Sequence, residues 1–200
     1  VRMSPIGSPH QACVDRLNSL LVSRFGKRAI VRVQGPVILG RHSEPQPDIS
    51  VLRPRADFYA GGHPRPPDVL FLVEVIDTSG SYDRGRKLPL YSRSRIPEVW
   101  LVDLERQVID INRQPALRAY RLEQRVTRGQ RLRSAAFPRL TFAASDILGS
   151  RQALPSRESK VEGAGADHVK RPPRPDPVGG ILMGHFKAAS PARARSCTCV

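Results

Sequence analysis

The sequence predicts an α/β domain, a central sheet flanked by helices, followed by a tail without regular structure. Three observations carry that prediction. The run Asp68-Val69-Leu70-Phe71-Leu72-Val73-Glu74-Val75-Ile76 is almost continuously apolar, as a strand covered on both faces must be. Near the start, Cys13, Leu17, Leu20, Leu21 and Phe25 recur at helical spacing. Beyond Gly149 both kinds of periodicity stop, and proline and basic residues take over.

The elements follow in order. Ser8-Pro9 opens the first helix, Gly26 ends it, and Cys13 lies on its apolar side as a small core residue. Arg28 to Leu39 reads as one or two strands, clearest at Ala29 to Val33 and broken near Gly35-Pro36. A polar stretch, Gly40 to Gln46, leads into Pro47-Asp48-Ile49-Ser50-Val51-Leu52, a short strand headed by a carboxylate. Arg53 to Pro67, rich in proline and glycine, is a loop. After the long apolar strand, Asp77 to Ser81 is a helix N-terminus, with Asp77 as N-cap or outer-shell ligand. The helix carries Asp83, Lys87 and Tyr91 to about Ser94, and Pro89 inside it demands a kink or a late start. Glu98 to Asp103 and Gln107 to Ile111 make a hairpin around Leu104-Glu105-Arg106. Two more strands are expected near Ala119 to Leu122 and Arg131 to Ala136, and Leu140 to Leu148 closes the domain. The domain therefore spans residues 1–149. Residues 150–200 form a basic, Pro-rich tail predicted to be disordered.

Charge narrows the partners. The chain of 200 residues carries a net charge of +15, with an excess of basic residues both before and after residue 150. Such a field favours DNA or another polyanion, and the same excess also arises from an arginine-rich composition. Cys197-Thr198-Cys199 is not a zinc pair, and nothing implies a disulfide scaffold. No run of about 18 apolar residues and no signal peptide is present, which excludes a membrane helix and predicts a cytoplasmic protein. The first residue, Val1, fits a fragment or an alternative start codon read literally.

Asp48, Glu74 and Lys87 are the candidate catalytic residues. Two carboxylates and a lysine gathered on a sheet can bind Mg²⁺ and position water for phosphodiester hydrolysis. Each has an ordinary reading beside it. An aspartate after Pro47 at a strand start is common turn chemistry. Asp83 and Lys87, four apart on a helix, make a surface ion pair. Glu74 is harder to explain away, because a carboxylate inside so apolar a run is costly unless paired or metal-bound. His10 caps its helix or touches phosphate, and Tyr91 is core or a wall of the site. Arg84, Arg86, Arg93 and Arg95 contact phosphate or form a solvated helix face. His42, His63, His168 and His185 show no ligand spacing.

Several segments together resemble a known family. These are Met3-Ser4-Pro5-Ile6-Gly7 with His10, Ser43-Glu44-Pro45-Gln46-Pro47-Asp48, Val73-Glu74-Val75, Tyr82 to Tyr91, and Ile96-Pro97-Glu98-Val99-Trp100-Leu101-Val102-Asp103. In this order, from Met3 to Leu148, they resemble the Uma-two family of bacterial restriction endonucleases, within the PD-(D/E)XK nuclease superfamily. The resemblance implies a restriction-endonuclease-like core, a central mixed sheet flanked by helices, and Mg²⁺-dependent cleavage of DNA, with Mn²⁺ as a substitute. It makes Asp48 the aspartate of the PD element and Glu74 the acid of the second element, both as metal ligands with the Val75 carbonyl as a third. The superfamily's lysine would stand two residues past Glu74, where this chain has Ile76; the resemblance moves that role to Lys87. Family members carry one or two strands before the Met-Ser-Pro segment, which this chain lacks.

Three readings follow. The first is a Mg²⁺-dependent endodeoxyribonuclease, a homodimer because two strands must be cut. The second is a nucleic-acid-binding protein of the same fold without catalysis. The third is a truncated or frameshifted gene product, prompted by the tail and its Cys-Thr-Cys-Val ending.

Overall fold

The structure, a computed structural model, describes residues 7–76 and 83–150. The expected helix start at Asp77 to Ser81 and the tail beyond residue 150 lie outside the described residues.

A six-stranded mixed sheet forms the centre, in the order β1-β2-β3-β4-β5-β6. Its strands are β1 (Ile30–Val33), β2 (Ile49–Leu52), β3 (Val69–Ile76), β4 (Glu98–Asp103), β5 (Val108–Pro115) and β6 (Tyr120–Thr127). Neighbours are antiparallel except β3 and β4, which run parallel. A parallel pair cannot be closed by a tight turn, so the chain must cross over between residues 76 and 98. Helix α2 (Leu88–Arg93) lies in that crossover. A small second sheet pairs β7 (Arg131–Leu132) with β8 (Phe142–Ala143), and α3 (Ala144–Leu148) follows directly.

Helix α1 (Ser8–Phe25) buries Cys13, Val14, Leu17, Leu21 and Phe25, a stripe at helical spacing, against one face of the sheet. Phe71, Val73 and Val75 of β3 point to that face, with Trp100 and Val102 of β4 and Ile109 and Ile111 of β5. Aromatic rings join helix to sheet and strand to strand: Phe25 meets Phe71 edge-on at 6.1 Å, and Phe71 stacks on Trp100 at 4.7 Å between ring centres. Burial pushes the Cys13 thiol up to about 11, the behaviour of an inert core residue. The alternate residues of β3, Leu72 and Ile76, join Tyr91, Ile96, Val99 and Leu101 in a second apolar cluster on the opposite face. With both faces covered, β3 reads as an unbroken apolar run, which is why it was the clearest strand in the sequence.

The expected elements form with changes of extent. β6 runs on to Thr127 and β5 to Pro115, whereas the strand expected at Arg131 to Ala136 shrinks to two residues. The second strand allowed between Gly35 and Leu39 does not form. That segment bonds instead to the loops, Val37 N–H to the Pro45 carbonyl and Ile38 N–H to the Pro64 carbonyl.

One buried carboxylate is structural. Glu98 accepts from Trp100 Nε1 at 2.5 Å, Arg113 Nε at 2.9 Å and the Ala135 N–H at 2.8 Å, so it ties β4 and β5 to the segment after β7. Truncating it strands three donors in the interior. We expect Glu98→Ala to cost about 3 kcal/mol or more, read from the urea unfolding midpoint; a loss under about 1 kcal/mol would contradict this account.

Candidate active site

The register of β2 on β3 builds the site. Ile49 pairs with Val73, so Asp48, one residue earlier, falls beside Glu74, one residue later. Ile49 and Val51 face α1, and Glu74 shares the other face with Leu72 and Ile76, while Asp48 stands just before β2, at the end of the sheet where Glu74 and Val75 lie. One Asp48 carboxylate oxygen, Oδ2, accepts the Val75 N–H at 2.8 Å, which ties the aspartate to the far end of β3. The other, Oδ1, lies 3.1 Å from Nε2 of His10.

Glu74 is 1 % exposed. Its Oε2 accepts from Lys87 Nζ at 3.0 Å and its Oε1 from the Tyr91 hydroxyl at 2.5 Å. Both donors come from the crossover. Asp83–Lys87 forms a single π-helical turn, and the regular helix starts only at Leu88 with Pro89 in its first turn, where proline's missing N–H costs nothing. Of the two outcomes Pro89 allowed, a kink or a late start, the structure adopts the late start. Lys87 stands immediately before that helix, and Tyr91 lies one turn beyond Lys87 on the same side.

Three sequence-predicted residues, Asp48, Glu74 and Lys87, are thus brought together at the carboxyl end of β3. One expectation changes. His10 does not cap its helix: Gly7 is the N-cap, with no side-chain bond, and the ring reaches Asp48 instead. Lys87 pairs with Glu74, and the side chain of Asp83, its expected partner, lies outside the described residues, as does Asp77. Sequence reasoning missed that Tyr91 donates to Glu74, although the i, i+4 spacing from Lys87 carried the signal. The helical stripe likewise places His10 three residues before Cys13, on the side facing the sheet. Arg86, Arg93 and Arg95 are exposed.

Electrostatics at Glu74 are a contest. Burial raises its carboxyl from 4.5 to about 7, against the opposing pull of the Lys87 charge and the Tyr91 hydrogen bond, with Asp48 adding to the rise. Desolvation wins, so the carboxyl is about half protonated at neutral pH. The donor set consists of hard oxygens. Among the described residues no group of three or more His, Cys, Asp or Glu is poised around a common metal position. The carboxylate oxygens of Asp48 and Glu74 are hard donors of the kind Mg²⁺ takes, one or two at a time.

The family described as "Uma2: Putative restriction endonuclease" matches residues 1–145. Among solved structures, the crystal structure of "a putative nuclease belonging to DUF820 from Anabaena variabilis ATCC 29413" is similar, with a TM-score of 0.57 and 17% identity. That match covers 74% of this chain and 84% of the other. No curated protein matches the chain.

A proton balance follows from Glu74. Its folded value, about 7, lies above the ordinary 4.5, so between these pH values the folded chain holds a proton that the unfolded chain has released. This stabilisation is complete below about pH 4.5 and is lost as pH rises through 7. Its upper limit is on the order of 3 kcal/mol. In metal-free buffer, the urea midpoint of the native chain should fall between pH 5 and 8 by clearly more than that of Glu74→Gln; equal falls would remove Glu74 as the titrating group. Tyr91→Phe deletes a bond that favours the ionised form, so the Glu74 carboxyl should titrate above its native midpoint in a ¹³C-NMR titration. A midpoint that stays or falls would contradict the role given to Tyr91.

Proposed function

This chain belongs to the Uma2 family, and from that premise we propose that it is a Mg²⁺-dependent endonuclease hydrolysing DNA phosphodiester bonds. One observation carries the reading: Asp48, Glu74 and Lys87, far apart in sequence, meet at the carboxyl end of β3 in a strongly basic chain. Asp48 and Glu74 would hold the cation, with the Val75 carbonyl as a third oxygen, and Mn²⁺ would substitute. The bound cation would polarise the scissile phosphate and acidify a water.

The protein's own groups do the rest. The Val75 N–H fixes Asp48 through one oxygen. Tyr91 fixes Glu74 from the apolar side. Lys87, 26 % exposed and thus at the border with solvent, is placed to orient the attacking water or to offset charge gathering on the phosphate as a new P–O bond forms and an ester P–O bond breaks. The basic surface supplies attraction for DNA. On this reading the protein works in the cytoplasm as a homodimer, one centre for each strand. Among the described residues no helix is long and apolar enough to cross a membrane.

A second reading has one observation in its favour. Both Glu74 oxygens already have protein donors, as in a carboxylate kept only for structure, so a DNA-binding protein of this fold without catalysis is the rival.

Nicking of supercoiled plasmid with Mg²⁺ or Mn²⁺ separates the two. We expect metal-dependent nicking by the native chain, no detectable nicking by Asp48→Ala or Glu74→Ala, and a loss of about 10²- to 10³-fold for Lys87→Ala. A folded native chain that binds DNA, takes up no Mg²⁺ in calorimetry and leaves the plasmid intact would establish the rival. Because a divalent cation competes with the Glu74 proton, Mg²⁺ affinity should rise as pH passes through about 7. In Glu74→Gln that pH dependence should disappear.

A further inference from the structure

The loop between β2 and β3 carries the most exposed aromatic ring of the described residues. Phe58 is 68% exposed, while the next residue, Tyr59, is only 4% exposed. A single exposed phenylalanine is ordinary on a protein surface. This one is set apart by how it is mounted and by what surrounds it.

The mount is rigid. Phe58 and Tyr59 have φ of 48° and 62°, two successive left-handed residues of which neither is glycine, a conformation that persists only when its surroundings impose it. Here they do. The Tyr59 hydroxyl donates to the Arg53 carbonyl at 2.9 Å, the Phe58 N–H to the Arg55 carbonyl at 3.2 Å, and Arg32 Nη2 to the Phe58 carbonyl at 3.0 Å. Arg55 grips Asp57 through two bonds, at 2.9 and 2.7 Å. The Tyr59 ring sinks into the apolar cluster of Leu72, Ile76 and Tyr91, so the loop is anchored on the face that holds Asp48 and Glu74. The chain thus spends its fixed contacts on holding the phenyl ring of Phe58 outward.

The surroundings are cationic. Arg32 and Arg55 lie over the Tyr59 ring at 5.6 and 4.5 Å, and Arg53 and Arg65 are exposed in the same loop. Asp57 is already committed to Arg55. An outward aromatic ring bordered by guanidinium groups is the combination that stacks a nucleic-acid base while neutralising its backbone.

We propose that Phe58 is a stacking platform for an unpaired base of single-stranded DNA, which makes DNA with a single-stranded stretch the favoured substrate. The inference rests on the reading that this chain acts on DNA. The occupant is a single strand and not a duplex, because a base already free stacks without penalty, whereas one within a duplex must first be unstacked. Asp48 and Arg53 are separated by only the length of β2, roughly 17 Å of extended chain, so one strand could lie along both.

The test is fluorescence anisotropy in EDTA, where no cleavage can occur, with a labelled single strand of about 30 nucleotides and the matching duplex. The native chain should bind the single strand more tightly than the duplex. Phe58→Ala should weaken single-strand binding about tenfold without changing the slope of log K against log salt, because no charge is removed. Phe58→Trp should restore the affinity, with tryptophan emission quenched by the single strand. Unaltered single-strand binding by Phe58→Ala, or a duplex preference in the native chain, would overturn the inference and leave the nuclease reading standing. A native chain that binds neither DNA would bring down both.

Discussion

The fold turns on the burial of one carboxylate. Glu74 sits in β3, one half of the single parallel pair among the described strands, on a face otherwise filled by Leu72, Ile76, Leu101 and Tyr91. Left alone there it would cost several kcal/mol. The chain does not place a neutralising residue beside it on the sheet. It sends the crossover back over the end of β3 and supplies a cation and a hydroxyl from one helical turn. Even so the compensation is partial, since the carboxyl still rises to about 7.

Other buried acids in the same sheet make the contrast. Asp110 is fully buried and held by both arms of Arg125, its cross-strand partner, at 2.7 and 3.0 Å. Glu98 has an indole, a guanidinium and a backbone N–H. Each of these receives three donors or a bidentate guanidinium, the geometry that satisfies a carboxylate most fully. Glu74 receives one ammonium and one phenol. Burial alone therefore does not mark the site. Glu74 differs from both in its donors and in having a second carboxylate opposite it in the register.

Much of this was legible because the decisive patterns are local. The apolar stripe of α1, the run of β3 and the hairpin of β4 and β5 each declare themselves within a dozen residues. The Asp48–Glu74 pairing could be guessed because each lies at the end of an apolar run, and antiparallel pairing of those runs brings the ends together. The roles of His10 and Tyr91 were harder to read because both depend on tertiary placement. A histidine in a helix's first turn reads as a cap until the sheet beneath it is known. A tyrosine on an apolar helix face reads as core, and by burial it is core; only its hydroxyl belongs to the site. The extents of β6 and β7 were misjudged for a related reason. β6 is largely exposed, so its sequence carries little periodicity, and its length is set by pairing with β5.

The position of Lys87 shows how the fold brings a cation to Glu74 from outside the sheet. A lysine two residues past Glu74 would occupy the position of Ile76, on the same strand face. Here Ile76 is 2% exposed and packs in the cluster with Leu101 and Tyr91. An ammonium there would have to be buried with its whole stem. From the turn before α2, the lysine instead keeps its stem partly in solvent and brings only its charge to Glu74. The distance of 3.0 Å is the same charge-assisted contact a strand lysine would make. Proline at the second helical position favours this arrangement, because a regular helix begun a turn earlier would place an unsatisfied carbonyl and a clash where the Asp83–Lys87 turn now lies. The wider turn before Pro89 is therefore the backbone solution that lets a lysine outside the sheet serve a carboxylate inside it.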